Sequence, residues 1–162
     1  MNGLLAAWQA SPVGEAVRAA GVWAYGVINA VHIIGIATLF GAILVLDLRL
    51  LGWRANRPLH EVAAGAVPIA GTGLAVAALA GACLLATNAT EYAGNPFLAI
   101  KFVLIGLGLV NLALLHRSQA WRAVRERRSP DARERRRLAI GGGVSLIGWL
   151  ATIVAGRMLA YA

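Results

Sequence analysis

The sequence predicts an all-α fold: an integral membrane four-helix bundle with both termini on the non-cytoplasmic side. Three observations carry this. Of the 162 residues, 59% are hydrophobic and only 14% charged, with a mean hydropathy of +0.70; ordinary globular proteins carry about 25% charged residues. Four long runs are almost free of charge, and twelve of the fifteen basic residues crowd into two short segments between them. A soluble domain of this composition would expose apolar patches large enough to aggregate, so lipid is the expected solvent.

The spans are expected at approximately 22–48, 62–88, 97–116 and 138–160, within a single membrane domain covering residues 1–162. The first run lies between Arg18 and Asp47 and the second between Glu61 and Glu91. The third is interrupted only by Lys101, and the fourth continues past Arg157. Each supplies the roughly 20 residues that cross about 30 Å of hydrocarbon as helix. Lipid offers backbone amides no partners, and the runs lack the alternation of barrel strands, so helices are required.

The arginines set the orientation. Arg49, Arg54 and Arg57 occupy the first loop, and nine arginines occupy the loop at 117–137. The loop around Glu91–Pro96 has no basic residue. Basic loops stay in the cytoplasm, which places both termini outside. The net charge of +8 is therefore matched to anionic lipid headgroups rather than to nucleic acid, for which no aromatic-rich module is present.

Local signals refine this outline. Ser11-Pro12 reads as an N-cap followed by proline at the first helical position, and residues 3–20 are expected to form a short interfacial helix. In span two, Ala66, Ala70, Gly73, Ala77 and Gly81 form a stripe of small residues; span four carries Gly141-Gly142-Gly143, Gly148 and Gly156. Such stripes let membrane helices approach closely, within the bundle or against other membrane subunits or a second copy. The short loop between spans two and three makes them antiparallel neighbours, and Pro68 suggests a kink in span two. The loop 117–137, with a break at Ser129-Pro130-Asp131, reads as helical extensions and a solvated charge run in the headgroups. Trp23, Trp53, Trp121 and Tyr161 suit an aromatic belt.

Ionisable groups within the membrane are costly and point to function. His32 lies about ten residues into span one, roughly 9 Å below the outer hydrocarbon boundary. Tyr25, Asn29 and His32 share a face, and Gly35 one turn on leaves room for a flat ligand. This suits haem or another tetrapyrrole, with His32 as the axial metal ligand. Lys101 and Arg157 fall near the same depth and could hold the cofactor's acidic groups. The structural alternatives are a histidine hydrogen-bonded to Thr72 or Ser145, and two cations snorkelling to the headgroups.

His60 and His116 lie too far toward the cytoplasmic ends to pair with His32 and read as interfacial residues. Met158 is a candidate sixth ligand or, with His32, a copper ligand. Cys83, the single cysteine, reads as a small buried hydrophobe. Asp47 is expected to bridge to Arg49 or tie to span two, and Asn111 to hydrogen-bond between helices. No phosphate loop, HExxH motif, paired intramembrane carboxylates or Ser/His/Asp set is present, so the chain is not expected to be an enzyme on its own.

Asn29-xx-His32-xx-Gly35, Leu39-Phe40-Gly41 and Asp47-Leu48-Arg49-Leu50-Leu51-Gly52 resemble a family of small uncharacterised four-span bacterial inner-membrane proteins. Thr72-Gly73, Asn95-Pro96-Phe97 with Lys101, and Gly156-Arg157 with Tyr161 extend the resemblance over most of the chain beyond residue 22. More distantly, the pattern is similar to the membrane bundles of copper-resistance D-type proteins and small b-type cytochromes. The resemblance implies a multi-pass protein of the bacterial cytoplasmic (inner) membrane. It carries over His32, Lys101 and Arg157, but no second mid-membrane histidine.

The expected function is a small membrane subunit binding a redox or pigment cofactor (haem-like) near the outer face, acting in electron transfer with a partner. A structural or assembly subunit of a larger membrane complex is the alternative, and a copper or small-solute permease the third reading.

Overall fold

A computed structural model describes residues 2–159 and Tyr161. Its helices are α1 (Asn2–Gln9), α2 (Pro12–Ala19), α3 (Gly21–Leu50), α4 (Leu59–Thr87), α5 (Pro96–His116), α6 (Gln119–Arg125) and α7 (Ala132–Met158). Four of them, α3, α4, α5 and α7, are long and apolar enough to cross a membrane. The chain is a multi-pass membrane protein. α3 and α5 contain the spans expected at 22–48 and 97–116, α4 ends one residue before the end expected at 88, and α7 ends at Met158, the end expected at residue 160 lying outside the described residues.

The closest packing is between α3 and α4, and it depends on glycine. A Cβ at Gly35 would stand 2.6 Å from the Ala77 amide nitrogen, and one at Gly73 would stand 2.4 Å from that of Leu39. Backbone lies against backbone here, as the small stripe in span two predicted. On its other side α3 meets α7 at Gly142, where a Cβ would come within 2.9 Å of the Leu50 Cβ. In turn α7 meets α5: Asn111 donates from Nδ2 to the Gly141 carbonyl at 3.0 Å, and Trp149 packs over Gly108. Asn111 thus makes the interhelical bond expected of it.

The helices therefore follow one another in space as α4, α3, α7, α5. Contrary to the sequence expectation, α4 and α5 are not neighbours: none of their described Cα atoms come within 8 Å. The small face of α4 is already occupied by α3. The segment between Thr87 and Pro96 is long enough to cross the resulting gap, since each extended residue spans about 3.3–3.6 Å.

The ends of this open seam are covered. At the end holding both termini, the expected single helix over 3–20 is instead two helices, divided where Ser11 caps Gly14 (3.4 Å) and Pro12 begins α2. They dock on the end of α4. Trp8 Nε1 donates to the Ala82 carbonyl at 3.1 Å, and Gln9 Oε1 accepts from the amide and hydroxyl of Thr90, both at 2.8 Å. Arg18 donates to the Ala86 and Thr87 carbonyls at 3.1 and 3.3 Å, satisfying acceptors that a helix C-terminus leaves open. Leu5 joins Ala89 and, from α5, Leu98 in a buried cluster against which Leu159 packs, so α1 helps cover this end of the seam.

At the arginine-rich end α6 does the same. Ser118 caps it by accepting from the Trp121 amide at 3.1 Å, and Ala120, Trp121, Ala123 and Val124 are buried. Trp121 and Val124 pack with Leu50, Ala66, Leu115 and Leu138. The expectation of a wholly solvated loop is corrected for this segment, because its apolar residues recur at helical spacing. Trp121, only 4% exposed, belongs to the core rather than to an aromatic belt, whereas Trp23, Trp53 and Tyr161 are exposed. The turn expected at Ser129-Pro130-Asp131 is present and leads into a capping box, with Asp131 accepting from the Glu134 amide and Glu134 from the Asp131 amide. Arg128 adds a 2.6 Å salt bridge to Glu134.

Gly73→Ala should force α3 and α4 apart and cost about 1–3 kcal/mol, the range for overpacking a close contact. Gly65→Ala, where an added Cβ meets nothing within 4 Å, should be neutral or stabilising. Thermal unfolding in detergent would compare the two.

Candidate functional site

His32 extends from α3 toward α4. Its Nδ1 lies 2.7 Å from the Ala77 carbonyl oxygen, which fixes a proton on Nδ1 because a carbonyl can only accept. The ring occupies the notch left by Gly81, where a Cβ would stand 2.8 Å from Cε1. The expected alternatives, Thr72 and Ser145, are not its partners: the Thr72 hydroxyl donates to Pro68 on its own helix at 3.0 Å, and Ser145 faces Asp47. The Nε2 position makes no hydrogen bond among the described residues.

The other expected site residues separate. Gly35 is buried against Ala77 and Gly73, so α4 fills the space a flat ligand would need there. Tyr25 and Asn29 are exposed on α3. Lys101 turns from α5 onto α7, its Nζ 3.2 Å from where a Gly156 Cβ would stand. It has no ion pair or hydrogen bond among the described residues. Arg157 is exposed, with its guanidinium 4.7 Å from the Tyr161 ring centroid and hydrogen-bonded to the Tyr161 hydroxyl. The fold thus turns His32 onto α4, Lys101 onto α7 and Arg157 onto Tyr161, and no described Cα atom of α3 lies within 8 Å of one in α5. Met158 is exposed beside it in sequence.

Asp47 is a site the sequence reading misassigned. It is 3% exposed, faces the Ser145 hydroxyl of α7, and has one carboxyl oxygen, Oδ2, with no hydrogen-bond partner. The expected salt bridge to Arg49 does not form, because residues two apart on a helix point away from each other. Arg49 instead donates to the Arg57 carbonyl from Nε (2.9 Å) and Nη2 (2.7 Å). The available signal was the spacing of Asp47 with Ile43, Leu46 and Leu50, the buried face of α3.

His60 and His116 lie at the arginine-rich ends of α4 and α5, where interfacial residues were expected. They line one cavity of about 470 Å³ at the arginine-rich end, between α4 and the α5–α6 corner. The His116 ring lies 4.3 Å from that of Trp121, tilted by 44°, and its Nδ1 is bonded to Leu112 O at 3.0 Å. A second cavity of about 290 Å³ adjoins it and shares His60, Val124 and Arg127. Only α6, folded back between the helices, brings these residues together. Among the described residues, no three His, Cys, Asp or Glu side chains are grouped as metal ligands.

No protein-family model, curated protein or solved structure matches the chain.

Gly81→Ala should destabilise the protein through its clash with the His32 ring. In a His32→Ala background the same change should cost much less, because the notch is then empty. A double-mutant cycle of unfolding midpoints measures the difference, with coupling on the order of 0.5–3 kcal/mol typical of residues in contact.

Proposed function

We propose that the protein is a small subunit of a bacterial cytoplasmic membrane that binds a planar redox or pigment cofactor, haem-like, in the half of the bundle containing the termini. It would pass electrons to or from a partner subunit. The observation that carries this reading is the state of His32. Its Nδ1–H is held by a backbone carbonyl, the arrangement that orients a metal-ligating imidazole and strengthens its other nitrogen as a donor. Lys101 adds a cation with no protein partner among the described residues, suited to a cofactor carboxylate.

A bare metal ion would find no companion ligands beside His32 among the described residues, whereas a planar group needs one axial protein ligand, which His32 could supply only away from the Gly35 contact that α4 fills. A bound group of this kind would supply one-electron chemistry. The chain's own contribution is to orient the Nε2 lone pair, neutralise an acidic substituent through Lys101, and exclude water by lipid and helix packing. The arginine-rich loops, facing the cytoplasm by the positive-inside rule, put this half of the bundle toward the outer side.

A second reading, a structural subunit of a larger membrane complex, is favoured by α5. Only Leu98 and Leu115 of this helix are buried, and Phe102, Val103, Leu107, Val110 and Leu114 are all exposed along it. In that reading His32 serves to fill the Gly81 notch.

The absorption spectrum of detergent-purified protein, expressed with haem precursor supplied, separates the two. A Soret band that disappears in His32→Ala and shifts or weakens in Lys101→Met is the expected result. A folded, colourless protein that takes up no added haem would discard the cofactor reading in favour of the structural one.

A further inference from the structure

We infer that the paired cavities at the arginine-rich end form a specific binding site for one anionic phospholipid. The larger cavity has the shape of an amphiphile site. Its wall along α4 is apolar, from Ala63 and Ala64 through Val67 to Pro68, and Trp121 and Val124 of α6 face it. Its rim carries His60, His116, Arg125 and Arg127. An acyl chain can lie along α4 in the gap that separates it from α5 while the headgroup meets the rim.

The charges at this rim differ in their commitments. Arg49 is bonded to loop carbonyls and Arg128 to Glu134. The side chains of Arg125 and Arg127 make no hydrogen bond or ion pair among the described residues. With its Nδ1 bonded to Leu112, His116 keeps Nε2 for another contact.

Arg127 also sits in the left-handed region, at φ 57°, a conformation costly for any residue except glycine. It follows α6 where glycine is the usual choice: the Arg128 amide closes back on the Ala123 carbonyl at 2.9 Å and the Arg127 amide on that of Val124 at 3.1 Å. Arg54 shares this conformation, but Arg127 is the one that lines both cavities, where its charge is placed for a ligand. The smaller cavity opens on the first residues of α4, which has no side-chain cap; its free amides add partial positive charge. Together these features select a phosphodiester anion carrying an acyl chain rather than a zwitterionic lipid.

Native mass spectrometry of the full chain, released from micelles containing equal amounts of phosphatidylglycerol and phosphatidylcholine with the same acyl chains, tests this. The expected result is one retained phosphatidylglycerol, favoured by roughly tenfold or more, the scale set by two arginines at a membrane surface. R125Q/R127G should abolish the preference while leaving the unfolding midpoint unchanged or raised, because glycine fits position 127. R133Q/R136Q removes the same charge from the exposed start of α7 and should leave retention intact. Ala64→Trp, which fills the cavity without changing charge, should expel the lipid. Millimolar inorganic phosphate should fail to compete, since the acyl wall contributes to binding. Equal retention of both lipids, equal losses in the two double variants, retention of lipid by Ala64→Trp, or displacement by phosphate alone would each overturn the inference.

Discussion

The backbone contact between α3 and α4 is the constraint on which the rest of the structure depends. In lipid there is no hydrophobic gain from burying one apolar helix against another, so association relies on dispersion and close approach. Gly35 and Gly73 permit that approach, each occupying space where a side chain would strike the other helix. The contact also brings the Ala77 carbonyl and the Gly81 notch to His32. The candidate ligand is thus oriented by the same surface that holds the two helices together.

One consequence is the asymmetry of the bundle. With its small-residue face committed to α3, α4 leaves α5 to pack on α7, and the two helices stand apart. Short helices cover the ends of the opening: α1 through Leu5, and α6 through Trp121 and Val124. In the middle, no described Cα atoms of α4 and α5 come within 8 Å of each other. The cavity lined by His60, His116, Arg125 and Arg127 borders this seam toward the basic loops.

The buried polar groups of the two halves have different physical characters. His32 is satisfied on one nitrogen and available on the other, which suits a donor atom. Asp47, by contrast, is enclosed between α3 and α7 with one carboxyl oxygen unpartnered, and the Gly142 contact closes α7 over it. A buried polar atom without a partner is costly in a low-dielectric surrounding. Close packing of α7 around Asp47 keeps water away, and the Ser145 hydroxyl faces it across that interface.

Much of the fold was legible in one dimension. The four spans follow from runs of apolar residues because lipid forces helices on any such run. The pairing of the Gly73–Ala77 face and the interhelical role of Asn111 follow from side-chain size and polarity alone. Helical spacing likewise identified His32 and Lys101 as intramembrane polar groups, but not which way each would turn. His32, Lys101 and Arg157 turn to different partners because depth along a helix leaves rotation about its axis undetermined, and Arg157 reaches Tyr161 just beyond the end of α7. The separation of α4 from α5, the return of α6 into the bundle and the shared cavity of His60 and His116 were decided only by the tertiary structure. Each depends on which helix claims a given face first, and that competition is settled by three-dimensional packing rather than by any local pattern.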